Sequence, residues 1–181
     1  MRRPETIIIC YVSHARWNTM VESIADYAKW SLTNHLKVLR KMICLVPDDK
    51  IQFRPTPEQK SVSEIVHHVL SATQTHIFAV RDGVGRQEHS TVKGMDPGTL
   101  KSTSELLAHM DGVSDTVGRV MGEITPEQLD AAITYTQWND YTVDARRSLL
   151  FFIEELIHHR GQISVYLRLL GIAPPHLYDY S

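Results

Sequence analysis

Asp144-Ala145-Arg146-Arg147-Ser148-Leu149-Leu150-Phe151-Phe152-Ile153-Glu154-Glu155-Leu156-Ile157-His158-His159-Arg160-Gly161-Gln162-Ile163-Ser164-Val165-Tyr166-Leu167-Arg168-Leu169-Leu170-Gly171 reads as one long helix. Leu149, Ile153, Leu156, Ile163, Leu167 and Leu170 recur at three- and four-residue steps, as one buried helix face requires. Asp144 can accept from a free amide at the N-terminus. Gly171 and then Pro174-Pro175 stop the helix. At about 100° per residue, His159 falls roughly 70° from the centre of the apolar stripe. Glu155 falls about 110° from it on the same flank, one turn earlier, and His158 nearly opposite. Side chains four apart on one flank are neighbours, so Glu155 and His159 can bite a single metal ion. Imidazole and carboxylate together suit zinc, nickel, copper or iron.

Three further helices lie upstream. Ile24, Tyr27, Ala28, Leu32, Leu36, Leu39, Ile43 and Val46 place the first between about Val21 and Val46, ended by Pro47-Asp48-Asp49. Arg54-Pro55-Thr56-Pro57-Glu58 cannot continue a helix, because each proline lacks an amide donor. Ser61-Val62-Ser63-Glu64 is a capping box and opens the second helix, which runs to about Arg81. Asp82-Gly83-Val84-Gly85 stops it and reads as a loop. The third is expected from about Thr99 to Gly122, bent or thinned by the interior Gly112 and Gly118. Thr125-Pro126 suits the start of a short helical turn. Thr134 to Val143 is aromatic and β-branched, an extended piece or an ordered loop. Its Tyr135, Trp138 and Tyr141 suit either the mouth of a pocket or the closed end of a bundle. The expectation is an all-α four-helix bundle, with at least one crossing connection because the loops are long. Residues 1–20 form an N-terminal extension outside the core, and residues 21–181 form the bundle domain.

Composition removes several classes. The 181 residues are 43% hydrophobic and 22% charged, which suits one globular domain rather than a disordered chain. A net charge of −2 leaves no basic surplus for nucleic acid. Cys10 and Cys44 have no CxxC spacing, so neither a disulfide framework nor a thiolate zinc site is expected. No apolar run approaches the roughly 20 residues of a membrane span. Arg2, Arg3 and the run Ile7 to Val12 resemble a signal peptide weakly, but the run is too short and no small-residue cleavage site follows. The expected compartment is the cytoplasm. P-loop, GxGxxG and GxSxG patterns are missing.

The ten histidines are unevenly spread. On the second helix, His76 sits in the apolar face with Ile65, Val66, Val69 and Val80. His68 lies on its edge and His67 points further away. His68 can therefore complete a facial site with Glu155 and His159. Glu64-x-x-His67 and Glu155-x-x-His158 also match the paired motif of di-iron bundles. Glu64 is spent on the capping box and His158 faces outward, so that reading is rejected. Arg160, near the apolar centre by phase, is expected to pair with a buried carboxylate.

Ser61-Val62-Ser63-Glu64-Ile65-Val66-His67-His68, then His159-Arg160-Gly161-Gln162, Tyr166-Leu167-Arg168-Leu169-Leu170-Gly171 and Pro174-Pro175, resemble in order and spacing the DinB/YfiT family of metal-binding four-helix bundles. The resemblance covers roughly residues 21 to 178. It implies one divalent metal held by a histidine on the second helix and a His-x-x-x-His pair on the fourth. Those positions are His68, residue 155 and His159, and residue 155 is glutamate here. A His-Glu-His set suits zinc, iron, manganese or nickel, with the harder ligand weighing against nickel.

The family includes thiol S-transferases using low-molecular-weight thiols such as bacillithiol, a mycothiol-dependent isomerase, and proteins described as metal-dependent hydrolases. The resemblance therefore implies an enzyme that activates a thiol or water for attack on a small electrophile. The alternative is a non-catalytic metal-binding or stress-response bundle with a degenerate site. Gln162, one turn after His159, can orient a group behind the ligands. Leu150, Phe151 and Leu169 lie off the main stripe of the last helix and suit a homodimer. Deleting residues 1–19 is expected to change thermal stability little.

Overall fold

The computed structural model describes residues 23–92 and 94–180. The expectation for residues 1–20, and Cys10 with it, lies outside the described residues; Cys44 is an exposed free thiol. Helix α1 spans Ile24–Ile43, with the Ser23 hydroxyl accepting from the Asp26 amide. Helix α2 spans Val62–Asp82. Both halves of its capping box form: the Glu64 amide donates to Ser61 Oγ, and the Ser61 amide to the Glu64 carboxylate. Strand β1 is Val84–Gly85, helix α3 is Thr103–Glu123 and a single turn, α4, is Pro126–Leu129. Strands β2, Ala132–Tyr135, and β3, Tyr141–Asp144, lead into helix α5, Ala145–Leu169.

The four long helices form the bundle, and their buried faces make one apolar core. Both α1 and α2 pack on α3 and on α5, so sequential α1 and α2 stand diagonally, as do α3 and α5. The first and last interhelix connections therefore cross the bundle, as the loop lengths suggest. The first crossing is ordered by its own polar contacts: Ser61 and Ser63 hydroxyls donate to Gln52 Oε1, whose amide nitrogen donates to the Pro97 and Leu100 carbonyls.

Three expectations need correction. The third helix begins at Thr103, not Thr99, because Asp96-Pro97-Gly98-Thr99 closes a 3-10 turn on the Asp96 carboxylate. It then runs unbroken, since Gly112 and Gly118 stand on its open face with nothing packed against them. The segment after Asp82 is not simply a loop. Val84–Gly85 pairs in parallel with Thr134–Tyr135, and β2 pairs antiparallel with β3, Ile133 opposite Val143. Gly83, at φ +75°, makes the exit from α2 that a side chain would strain. Gly85 has another role: a Cβ there would lie 2.1 Å from Tyr135 Cδ1, so the ring rests directly on the β1 backbone. This small sheet closes one end of the α2–α5 groove.

Candidate metal centre

Helices α2 and α5 run antiparallel. His68 stands opposite Glu155 and, two turns on, His76 opposite Ser148. Each helix thus sets a row of residues four apart along the same groove: His68, Ala72 and His76 on α2, and Glu155, Phe151 and Arg147 on α5.

At one end, His68, Glu155 and His159 bring a potential ligand atom each to within 4.8 Å of one another. Glu155 Oε2 lies 3.3 Å from His159 Nε2 and 3.8 Å from His68 Nε2. Ligand atoms about 2.0–2.2 Å from a tetrahedral ion are roughly 3.4 Å apart, so a modest contraction of the His68 arm would close the set around one ion. His159 is buried and oriented from behind: its Nδ1 lies 2.8 Å from Gln162 Oε1. An amide oxygen can only accept, so Nδ1 carries a proton and Nε2 is the nitrogen that faces Glu155. The two imidazoles meet edge to face, 4.8 Å between centroids. Burial, then the charges of His159 and Lys60, hold His68 below the usual imidazole range, against the opposing pull of Glu155. The neutral form, which has a free lone pair, is thereby favoured.

The neighbouring histidines are placed differently. His158 is exposed and faces away. His67 is more covered than His68, which reverses the sequence expectation: its Nε2 lies 3.0 Å from the Val92 carbonyl of the loop that packs over α2. Glu64 is held by the Ser61 amide and by Arg54, away from a di-iron arrangement. Arg160 is buried but meets no carboxylate, contrary to expectation. Its Nη1 donates to His35 Nδ1 and to the Leu177 carbonyl, each at 2.8 Å, and Tyr178 lies against the guanidinium.

From His68 and Glu155 a cavity of about 510 Å³ runs along the groove. Its walls are Ala72, Phe151 and Phe152 from the helices, and Tyr135, Trp138, Tyr141 and Val143 from the β2–β3 hairpin. Its floor is a polar cluster that helical periodicity does not reveal. Tyr135 Oη lies 2.6 Å from His76 Nδ1 and 2.5 Å from Ser148 Oγ, which is itself 3.0 Å from His76 Nδ1. Burial pushes His76 down to about 4 and Tyr135 up to about 12, so both are neutral at pH 7. A neutral set satisfies itself: Nδ1 accepts one hydroxyl proton and the two hydroxyl oxygens share the other. The cluster locks the hairpin to both helices, so the cavity walls are pre-formed.

A family model described as the DinB superfamily matches residues 31–163. An uncharacterized protein of Bacillus subtilis, YjoA, is 26% identical over 145 residues, covering 76% of this chain and 85% of that one. The crystal structure of YjoA, described as a DinB-like protein, superposes with a TM-score of 0.68 at 20% identity, over 84% of this chain and 97% of that one. YfiT, also from Bacillus subtilis, superposes with a TM-score of 0.66 at 14% identity, over 82% of this chain and 89% of its own. YfiT is described as a probable metal-dependent hydrolase with an unusual four-helix bundle topology. No helix among the described residues is long and apolar enough to cross a membrane.

Proposed function

The chain is a member of the DinB superfamily, and from that premise we propose that it is a metal-dependent enzyme whose ion is held by His68, Glu155 and His159. The observation that carries the reading is the convergence of two imidazole nitrogens and one carboxylate oxygen, from two helices, at the end of an otherwise aromatic cavity. The donor set fits a divalent ion of the zinc, nickel, iron or manganese kind. Such an ion, with three protein ligands and open positions, supplies a Lewis acid that lowers the pKa of a water or thiol into the neutral range.

The chain's own residues do the rest. Gln162 fixes the His159 tautomer, and Glu155 offsets the positive charge between the two imidazoles. The aromatic walls exclude bulk water from the electrophile and orient it. Hydrolysis of a small molecule is the reaction favoured, in line with the description of YfiT. Attack by a low-molecular-weight thiol in place of water would give S-transfer from the same arrangement. The protein acts as a cytoplasmic homodimer in this reading.

The test has two stages. Metal analysis of protein purified without chelator is expected to find about one divalent ion per chain. Turnover of activated ester, amide and alkyl-halide substrates is then measured with and without that metal, and with and without added thiol. A chain that takes up no ion at any pH refutes the site. A loaded chain without turnover on any substrate makes it a metal-binding bundle and refutes the enzyme.

A further inference from the structure

The groove between α2 and α5 says more about what is bound than about the ion. Arg147, Phe151 and Glu155 are four apart on α5, so Arg147 stands two turns, about 12 Å along the axis, from the candidate ligand Glu155. On the facing helix His68, Ala72 and His76 repeat the spacing. Ala72 is the smallest side chain in the lining and sits between two histidines, so the α2 wall intrudes least at that turn. There the walls are aromatic on three sides. Phe151, Trp138 and Tyr141 are each about half exposed or slightly less although the rest of the core is sealed: 50%, 47% and 52%. Trp138 stacks on Tyr135 at 4.5 Å between centroids, which holds its indole across the cavity mouth. Beyond the aromatic stretch lies Arg147. Its backbone amide is taken by Asp144, but its guanidinium forms no hydrogen bond or ion pair with any described residue. An unpaired guanidinium at the far end of an apolar slot is a site for a planar anion, which it binds through two parallel N–H donors.

We propose that this groove binds a flat, ring-bearing carboxylic acid, with the ring against Phe151, Trp138 and Tyr135, the carboxylate on Arg147, and the remaining end of the molecule at His68, Glu155 and His159. The proposal names the substrate class of the site and rests on the metal-dependent reading for its reactive end, but binding of the ring and the anion does not need the ion. Tyr135 is a positioning residue: the His76–Ser148 cluster sets its ring in place and leaves no free hydroxyl proton for the ligand.

The test is calorimetric titration of the full-length chain with naphthoate and with naphthylmethanol, its uncharged counterpart, each in the presence of chelator and again with zinc. Saturable naphthoate binding is expected in both media, with the alcohol at least about tenfold weaker, as befits one lost charged hydrogen-bonding group. Arg147→Gln should reduce that preference to near unity. Ala72→Phe fills the mid-groove and should abolish binding of both probes, as should Trp138→Ala, each read in protein whose thermal unfolding matches the parent. Naphthoate binding retained in chelator, with no ion present, separates failure of the metal reading from failure of this one. Equal affinity for acid and alcohol, an Arg147→Gln variant that keeps the preference, or no saturable binding refutes the proposal. So does burial of Trp138 in a protein dimer, seen as a concentration-dependent shift of its fluorescence, for then the slot is a contact face.

Discussion

His35 offers a stability test that turns on a single buried contact. It lies in α1 with 5% of its surface exposed, and its Nδ1 accepts from the guanidinium of Arg160. Burial, then the adjacent Arg160 charge, push it from 6.5 down to about 4. Because the folded-state value is depressed, the unfolded chain binds more protons between those two values. The contribution is therefore fully present above about pH 6.5 and is lost as pH falls toward 4. A shift of this size corresponds to about 3 kcal/mol in total, of which about 2 kcal/mol is gone by pH 5. Protonation removes the acceptor and sets a second cation beside Arg160, which has no carboxylate to offset it.

His35→Gln keeps an acceptor oxygen near Arg160 and cannot titrate. Urea unfolding of parent and variant from pH 7.5 to pH 4 should show the parent losing about 2 kcal/mol more than the variant by pH 5. His76, depressed in the same direction by burial, contributes equally to both proteins and cancels in the difference. Parallel stability curves would refute the reasoning and place the acid sensitivity elsewhere.

His159→Ala and His68→Ala should abolish divalent-metal binding in a titration, whereas His158→Ala and His67→Ala should leave it nearly intact; equal loss within a pair would mean the ligand assignment is wrong. Glu155→His should raise affinity for zinc or nickel, because imidazole is the softer ligand, and an unchanged or weaker affinity in the same titration would count against Glu155 as a ligand. Gly85→Ala must displace the Tyr135 ring, since the new Cβ would fall 2.1 Å from Cδ1; a loss of about 1–3 kcal/mol on thermal or urea unfolding is expected, and no loss would show that the ring can move freely. Leu150, Ile157, Val165 and Leu169 are 38–58% exposed on α5, so sedimentation at micromolar concentration should show a dimer that dissociates on Val165→Lys; a monomer alone would refute self-association.

Where the sequence was legible, periodicity was the reason. The stripe from Leu149 to Leu170 places His159 inward and His158 outward from phase alone, and the capping box at Ser61 sets where α2 starts. Phase finds a face but not what covers it. His67 and His68 exchange their expected exposures because the loop through Val92 lies over His67, a contact 25 residues away. Arg160 is buried as phase requires, yet its acceptor comes from α1 and the C-terminal tail rather than from a carboxylate. The hairpin had a readable signal: Asn139 and Asp140 between Trp138 and Tyr141 are residues that tolerate positive φ, and they adopt 54° and 55°. The parallel pairing with Val84–Gly85 had none, because two residues carry no alternation.

One geometric cause links the candidate ligands to the slot beside them. Antiparallel helices with facing rows of residues four apart bring row to row without further specification, so aligning His68 with Glu155 also aligns Ala72 with Phe151, and His76 with the turn that carries Arg147 and Ser148. The rows differ in how freely they can change. His159 Nε2 and Glu155 Oε2 approach to 3.3 Å, and His76 is tied to Tyr135 and Ser148 by contacts of 2.6 and 3.0 Å. Ala72, Phe151 and Arg147 make no side-chain hydrogen bond to either group, although the Phe151 ring lies 6.2 Å from that of His76. Substitutions at those three positions can therefore alter the width of the slot and the charge at its end while the ligand set stays where it is. A bundle built this way can keep one candidate metal centre and change what the slot beside it holds.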